Sequence, residues 1–463
     1  MKRSRRPLSL HPLAACLALA FAVPPAGATT PHTAYTVLTC QDHGAGSLRQ
    51  AVLDAPVGQP IDLTQLSCSS ITLTTGRIEV TRAQLIQGPG ADALEINGAG
   101  LDRVFNQLSN ETLALYGMTI RNGFSDSFGG GCVYSSGNLQ LKDTVVRDCR
   151  VSDIASTVPA NGGGVSVKRT FVAINSKVID NESYSALGEA HGGGAFVEGD
   201  ALLDHSTISG NSVSTGTSTL ALGGGLSVDA SLTMMYSTVS NNGAFGSEGG
   251  IGGVRSMGGA TIVQSTISGN QATTGVGGLY LFEPQSTPNT IIDSTISGNR
   301  AAAIAGVRVL GAASIRNSTI AFNTETGASP AGAGLYVSFG AADLQSTIIA
   351  SNTSAGGPAQ NVGLNITGSL TGANNLIGSS PQVALPAGTL SGNPKLLALH
   401  DNGGPTKTHS LAPGSAALNT GATTGSVTVD QRGAGFPRTV GVATDIGAYE
   451  GTDADLIFAN AFE

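Results

Sequence analysis

The chain has 463 residues, of which 12% are charged and 65 are glycine, and its formal net charge is −8 at pH 7. Globular domains usually contain about 25% charged residues and about 7% glycine, so the surface must be rich in uncharged polar groups. An acidic chain lacks the basic surface that nucleic-acid binding requires, and we expect no nucleic-acid partner. No segment after the N-terminal region has 18 consecutive apolar residues, so we also expect no membrane span.

The N-terminal 28 residues have the pattern of a secretory signal peptide. Four positive charges precede an apolar run at 13–23, and small residues at 26–28 offer a cleavage site. Removal of residues 1–28 leaves a net charge of about −12. We therefore predict an exported protein that is extracellular or on the cell surface. Cleavage before Cys16, which gives a lipoprotein anchor, is the alternative.

Four cysteines remain after residue 28, namely Cys40, Cys68, Cys132 and Cys149. An even number in an exported chain predicts two disulfides. The simplest of the three possible connectivities pairs neighbours, Cys40 with Cys68 and Cys132 with Cys149. No Cys-x-x-Cys motif occurs, so we expect neither a zinc nor a redox site, and no cofactor.

Residues 29–100 are predicted to form an N-terminal cap and the first turns of a coil. Residues 46–55 have the pattern of a short helix capped by Ser47, with Leu48, Val52 and Ala55 on one side. The apolar runs at 71–73, 78–80 and 85–86 predict the first strands. The open end of such a coil exposes unpaired strand edges, and the helix is our candidate to cover them.

Residues 101–352 are organised by a repeat. The sequence STISGN at 206–211 returns in near copies at 237–242, 265–270, 294–299 and 318–323. Its apolar residue recurs every 24 to 33 residues, at Ile120, Val145, Val178, Ile208, Val239, Ile267, Ile296, Ile320 and Ile349. A glycine before an apolar strand keeps the same period, at Gly131, Gly164, Gly194, Gly225, Gly253, Gly278, Gly306 and Gly334. Such a period with β-branched residues predicts a solenoid of strands.

The spacing within one repeat predicts a bend. Ile262 and Ile267 are five residues apart, so a straight strand would turn them to opposite faces, and both face inward only if the chain bends near Gln264 and Ser265. Stacked turns place like residues about 4.8 Å apart. We therefore predict a structural asparagine ladder formed by Asn181, Asn211, Asn242, Asn270, Asn299, Asn323 and Asn352.

These features resemble known families of exported bacterial proteins. Residues 46–51 partly match a Ser-Leu-Arg-Glu-Ala signature, and the repeats resemble right-handed parallel β-helices of the pectate-lyase-like and polymorphic outer-membrane-protein type. The resemblance implies an all-β, single-stranded right-handed parallel β-helix, a pectin-lyase-like solenoid with a short N-terminal helical cap. It specifies the fold well and the function poorly.

Residues 353–450 resemble the choice-of-anchor Q domain. Four pieces occur in order: DNGGPT at 401–406, PGSAALNTG at 413–421, DQRG at 430–433 and DIGAYE at 445–450. The family implies a secreted or surface β-helix and no known reaction. The tail at 451–463 is apolar and strand-like, and is either a sorting signal or a final strand.

Charge concentrates near the C-terminus at Asp430, Arg432, Arg438, Asp445 and Glu450. We interpret these residues as an ion-pair cluster that closes the lower end of the coil. A ligand or metal site is the alternative, but two arginines neutralise the acids better than they would cage a cation.

Residues that could carry catalysis are scattered. The Asn-Thr-Asp, Asp-Asp, Gly-His-Gly and Arg-Ile-Lys pieces of hydrolases with this fold do not occur. Acids fall at differing places in the repeat, at Asp143, Asp180, Asp204, Asp229, Asp293 and Asp343, so we expect no calcium site. His191 beside Glu189 is a conceivable general base without a visible partner. Aromatics after the glycine, at Tyr280 and Tyr336 and more loosely Tyr134 and Phe196, are either a binding stripe or ordinary stacking.

We therefore predict a secreted or cell-surface structural or adhesin-like β-helix protein without evident catalysis, present as a monomer. Its expected partners are surface glycans or components of a host or of the cell envelope. The alternative is a polysaccharide-binding or carbohydrate-active enzyme, a lyase or glycosidase with an unrecognised site.

Overall fold

The computed structural model describes residues 34–127, 129–216, 220–283, 288–328, 331–357, 360–422 and 427–451. The predicted signal peptide at 1–28 and the tail beyond residue 451 lie outside this range. Each strand pairs in parallel with strands one turn away, as Thr207–Ser209 does with Lys177–Ile179 and Thr238–Ser240. The protein is an all-β parallel β-solenoid of about 12 turns with one short helix among the described residues, and the predicted fold class is confirmed.

Sheet 1 has 22 described strands in two adjacent columns. The first column contains Ile78–Val80, Phe105–Gln107, Val133–Ser135, Val165–Val167, Ala195–Val197, Leu226–Val228, Val254–Ser256, Leu279–Phe282 and Val307–Leu310. The second contains Tyr35–Thr36, Ile61–Asp62, Gln84–Gln87, Thr112–Tyr116, Asn138–Lys142, Phe171–Ile174, Ala201–Asp204, Leu232–Met235, Ala260–Val263, Asn289–Ile292 and Ala313–Arg316. Both columns continue into two long strands, Leu335–Gln345 and Val362–Ala373.

Three further sheets complete the coil. Sheet 2 has 12 described strands, Ser70–Thr72, Glu95–Asn97, Thr119–Arg121, Val145–Arg147, Lys177–Ile179, Thr207–Ser209, Thr238–Ser240, Thr266–Ser268, Thr295–Ser297, Thr319–Ala321, Ile348–Ala350 and Leu376–Ile377. Sheet 3 has nine, Phe124–Ser125, Arg150–Asp153, Glu182–Ser185, Ser212–Thr215, Gly243–Phe245, Gln271–Ala272, Arg300–Ala301, Thr324–Glu325 and Thr353–Ser354. Sheet 4 has four, Ala160–Asn161, Ala190–His191, Leu220–Leu222 and Glu248–Ile251.

The interior is filled by columns of like side chains. Ile208 pairs in register with Val239, and Val239 pairs with Ile267. All three are at most 1% exposed, and burial of each such side chain contributes about 1.5–3 kcal/mol. The repeated apolar residue of the sequence therefore forms one continuous buried column in the structure.

The turn that contains both Cys132 and Cys149 departs from the predicted positions by one residue. Val146, and not Val145, belongs to the buried column, because Val146 pairs with Val178. Likewise, Cys132 and not Gly131 aligns with Gly164 of the following turn. The physical reason is that the two cysteines occupy the places that glycine and asparagine hold in later turns.

The predicted bend lies at Gln264, whose φ of +48° is in the left-handed region. This geometry turns the chain so that Ile262 and Ile267 are both buried. Next to the bend lies a second ladder that the sequence analysis missed, in which the backbone N–H of Ser237 donates to Oγ of Ser265 at 3.2 Å. The same bond links Ser176, Ser206, Ser237, Ser265, Ser294 and Ser318.

The asparagine column is a continuous hydrogen-bonded ladder. Nδ2 of Asn211 donates to Oδ1 of Asn242 at 3.0 Å and to the carbonyl of Val178 at 2.9 Å, and the backbone N–H of Asn211 donates to the same Oδ1. All seven predicted members are buried, namely Asn181, Asn211, Asn242, Asn270, Asn299, Asn323 and Asn352. The column continues to Asn361, which accepts from Asn352 at 3.0 Å.

The helix Leu48–Asp54 lies at the N-terminal end. Ser47 caps it by accepting a hydrogen bond from the backbone N–H of Gln50. The helix contacts Ile78–Val80, the first strand of its column, and therefore covers an edge that would otherwise be open. The guanidinium of Arg82 donates to three carbonyls at the end of the helix.

Both disulfides are present, Cys40 with Cys68 and Cys132 with Cys149, with Cα–Cα distances of 6.4 and 5.4 Å. The C-terminal end of the coil is covered by Val383 and Leu385, which pack on the core. Our expectation that the charged cluster closes this end is wrong. Its residues contact turns much earlier in the chain, as Asp430 does with Gln264 and Arg438 with Asp293.

Candidate functional site

Residues 394–422 and 427–451, which we call the C-terminal segment, run back along the outer face of sheet 2. Thr266 Oγ1 donates to the carbonyl of Lys407 at 2.7 Å, and Gln264 Nε2 donates to the carbonyl of Asp430 at 2.7 Å. These partners are 141 and 166 residues apart in sequence. The segment therefore lies on the side of the solenoid.

Gln431 is the polar centre of this contact and is fully buried. Its Oε1 accepts from Thr295 Oγ1 at 2.6 Å, and its Nε2 donates to Thr266 Oγ1 at 2.9 Å and to Thr406 Oγ1 at 3.0 Å. Thr406 belongs to the C-terminal segment itself, whereas Thr266 and Thr295 occupy the first position of their sheet 2 strands. Their hydroxyls, repeated on successive turns, give the segment a row of partners.

Arg438 joins the segment to the coil through charge. It is 1% exposed, and its Nη atoms lie 3.4 Å from Asp293 Oδ1 and 2.9 Å from Glu450 Oε2. Burial raises the pKa of Asp293 to about 7, against the opposing effect of Arg438. Burial also raises the pKa values of Asp445 and Glu450. Asp293, from the coil, was not expected to belong to this cluster.

Arg432 anchors the other half of the cluster. It pairs with Asp430 at 2.7 Å, and its guanidinium lies 4.1 Å from the ring centroid of Phe436 and 3.9 Å from that of Tyr449. The charge of Arg432 is therefore balanced by a carboxylate and by two aromatic faces within the protein. The five predicted residues thus come together in one buried structural cluster. Asp430 and Glu450 pair with arginines. The carboxylate of Asp445 accepts hydrogen bonds from the backbone N–H groups of Asn419 and Gly451.

A cleft of about 740 Å³ lies between the C-terminal segment and sheet 2. We call it the flank cleft. The solenoid contributes hydroxyl groups, backbone at two glycines and one aromatic ring, and the segment contributes one carboxylate, one ammonium and one imidazole. Its principal lining residues are Thr238, Ser240, Asn241, Thr266, Ser268, Gly269, Ser297, Gly298, Phe322, Asp401, Lys407 and His409.

Phe322 is placed in the cleft by an exception in the repeat. It occupies the position before the ladder asparagine, where Gly269 and Gly298 stand in the two preceding turns. Its φ is +57°, a left-handed conformation that disfavours a bulky residue. Its side chain is 39% exposed. The strained position thus presents an aromatic ring on an otherwise flat hydroxyl surface.

His409 forms the inner wall of the cleft. Its Nδ1 lies 2.6 Å from the carbonyl of Leu397, and its Nε2 lies 2.7 Å from Oγ of Ser297. A carbonyl only accepts, so Nδ1 carries the proton and Nε2 accepts from the serine. Burial lowers the pKa of His409, which favours the neutral ring. The centroid of this ring lies 4.9 Å from that of Phe322.

The serine–histidine pair has the hydrogen bond of an activated nucleophile. However, Ser297 is 2% exposed and His409 is 3% exposed, so a substrate has no access to the serine oxygen. Asp401 is the sole carboxylate among the residues that line the cleft. The two carboxylates that glycoside hydrolysis requires are therefore not assembled there.

The other residues that the sequence singled out lie apart from the flank cleft. His191 is half-buried against Glu189 at 3.0 Å, and burial lowers its pKa. Asp293 occupies the left-handed bend, whereas Asp204 precedes it by one residue. Within the described ranges no group of three or more His, Cys, Asp and Glu could hold a metal ion. The same ranges contain no helix that is long and apolar enough to span a bilayer.

The four aromatics Tyr134, Phe196, Tyr280 and Tyr336 do share one register on sheet 1, because each occupies the second position of its strand in the first column. Phe196 is 4% exposed and packs edge-on to His191 at 5.6 Å. Tyr280 and Tyr336 are half-buried. Arg255 and Arg308 flank Tyr280 in the column, and Arg308 and Gly363 flank Tyr336. The arginines were not expected there.

No family model matches the chain, and no curated protein matches it. A solved structure described as "Crystal structure of pectate lyase Pel9A" is similar, with a TM-score of 0.41 and 13% identity over 91% of this chain and 97% of that one.

Proposed function

We propose that the protein is an exported, non-catalytic, adhesin-like solenoid that binds neutral glycans in the flank cleft. The observation that carries this proposal is the convergence of Phe322 with the hydroxyls of Ser240 and Ser268 in an open cleft. An aromatic ring packs on the apolar face of a sugar, and hydroxyl groups exchange hydrogen bonds with its edges. One cation, Lys407, and one carboxylate, Asp401, favour an uncharged ligand.

Export is part of the same proposal. The pattern of residues 1–28 and the two disulfides support an oxidising, extracellular location. We also propose, from the four motifs within residues 353–450, that the C-terminal region is related to choice-of-anchor Q domains. The protein would act as a monomer, on glycans of a host or of the cell envelope.

The first experiment is a glycan array with the mature chain, followed by calorimetric titration of each neutral glycan that binds. Phe322→Ala should weaken binding about fivefold, because an aromatic contact of this kind contributes about 1 kcal/mol. The matched control is Phe245→Ala, which removes a ring of similar exposure, 42%, from sheet 3. Melting curves of both variants would show whether the fold is retained.

Three outcomes would contradict the proposal: no neutral glycan binds, the two variants weaken binding equally, or the protein degrades the bound glycan. Release of reducing ends or of unsaturated uronides would favour the enzymatic alternative. The predicted result is unchanged glycan after prolonged incubation.

A further inference from the structure

Four residues on successive turns alternate between arginine and tyrosine on the outer face of sheet 1. Arg255 pairs in register with Tyr280, Tyr280 with Arg308, and Arg308 with Tyr336. The residues on either side of Arg308, Val307 and Val309, are buried in the core. Since side chains alternate along a strand, the four residues point outward. We call them the Arg–Tyr column.

The column is a stack. Cζ of Arg308 lies 5.7 Å from the ring centroid of Tyr280. Nε of Arg308 donates to Oγ of the buried Ser338 at 3.0 Å, which fixes the guanidinium. Tyr336 rests against Gly363 at the far end, where the missing side chain makes room for the ring. The four side chains are half-buried and therefore held in place.

The two arginines differ in their charge partners. Arg255 pairs with Asp229 at 2.6 Å and donates to Ser227 Oγ at 3.0 Å. Arg308 forms no ion pair with any residue in the described part of the chain. Glu283, on the same turn as Tyr280, directs its carboxylate toward Gly311. Arg308 is thus a half-buried cation, held by Tyr280 and Ser338, that has no ion-pair partner among the described residues.

The stack determines what this cation can bind. A guanidinium that lies over a ring keeps its Nη–H edge for other partners, and that edge matches a carboxylate with two hydrogen bonds. The edges of the tyrosine rings carry positive partial charge. Arg255 and Arg308 are two turns apart, about 9.6 Å, which is close to the length of two sugars in an extended chain.

We propose that the Arg–Tyr column binds an extended acidic polysaccharide that carries one carboxylate per disaccharide and lies parallel to the solenoid axis. Arg308 holds one carboxylate, and Arg255 contacts the next one while it shares its charge with Asp229. This site is on a different sheet from the flank cleft and selects a charged ligand. The proposal therefore stands or fails independently of neutral glycan binding.

The test uses the mature chain and three probes in calorimetric titrations at low and at physiological ionic strength. Hyaluronan oligosaccharides carry one carboxylate per disaccharide, polygalacturonate oligosaccharides carry one on every sugar, and cello-oligosaccharides carry none. We expect the hyaluronan oligosaccharide to bind best and to weaken as salt increases. Arg308→Ala should reduce its affinity about tenfold or more, and Arg255→Ala should reduce it less.

The matched control is Arg300→Ala, which removes an exposed cation from sheet 3 and changes the net charge equally. Equal losses in the Arg300 and Arg308 variants would overturn the proposal, because they would show attraction to overall charge. Binding of none of the acidic probes, or tighter binding of polygalacturonate, would also overturn it. Phe322→Ala should leave hyaluronan binding unchanged.

Discussion

The backbone N–H of Cys149 donates a hydrogen bond of 3.0 Å to Oδ1 of Asn181, so Cys149 extends the asparagine ladder by one turn toward the N-terminus. In the following turn, a Cβ on Gly164 would lie 3.0 Å from Cγ of Asn181. Cys132 aligns with Gly164. The disulfide therefore replaces, by a covalent bond, the close contact between glycine and asparagine that later turns use.

This equivalence predicts the effect of restoring the repeat. The double variant Cys132→Gly with Cys149→Asn loses the cross-link, which is worth about 3 kcal/mol for a loop of this length. The asparagine should recover part of this loss, because each ladder hydrogen bond contributes about 1 kcal/mol. The variant should therefore unfold at a higher urea concentration than Cys132→Ala with Cys149→Ala. Equal midpoints would contradict the equivalence.

The ladder makes a second prediction at Asn242. Its Nδ2 donates to Asn270 Oδ1 at 2.9 Å and to the carbonyl of Ile208 at 3.0 Å, and its Oδ1 accepts two bonds from Asn211. Asn242→Ala leaves several buried groups without partners, so we expect a loss of about 3 kcal/mol or more in the free energy of unfolding. Asn365→Ala, at an exposed position, is the control and should change it by less than about 0.5 kcal/mol. Urea unfolding monitored by circular dichroism measures both.

The repeating part of the fold is predictable from the sequence because each turn solves the same packing problem. The odd spacing of Ile262 and Ile267 implies a bend, and the bend is at Gln264. In the turn where a disulfide replaces glycine and asparagine, the prediction is wrong by one residue, because Val145 was assigned the buried position that Val146 occupies. The repeat pattern alone does not indicate that a cysteine can occupy the asparagine position of the ladder.

The flank cleft could not be predicted in the same way. It depends on the C-terminal segment, which has no repeat, and on contacts such as that between Ser297 and His409, 112 residues apart. One signal was visible: Phe322 interrupts a column of small residues before the ladder asparagine. The chain itself does not state which turn a returning segment will contact, because hydroxyl groups are repeated along the whole of sheet 2.

The buried acids that hold this segment predict how stability varies with pH. Burial raises the folded-state pKa of Asp293 to about 7 from an ordinary value of 3.8. Between these values the folded protein holds a proton that the unfolded chain has lost, so stability falls as pH rises, by about 1.4 kcal/mol per pH unit for one such group. The raised pKa values of Asp445 and Glu450 act in the same direction.

Asp293→Asn should therefore flatten this dependence. The amide resembles the protonated acid, and Arg438 keeps its ion pair with Glu450 at 2.9 Å. We expect the unfolding midpoint of the variant to change less than that of the wild type between about pH 4 and 7, and the two curves to diverge most at the upper end. Asp92→Asn, which removes an exposed carboxylate, should leave the wild-type slope. If Asp293→Asn keeps that slope as well, the proton taken up on folding does not reside at Asp293, and Arg438 holds it ionised.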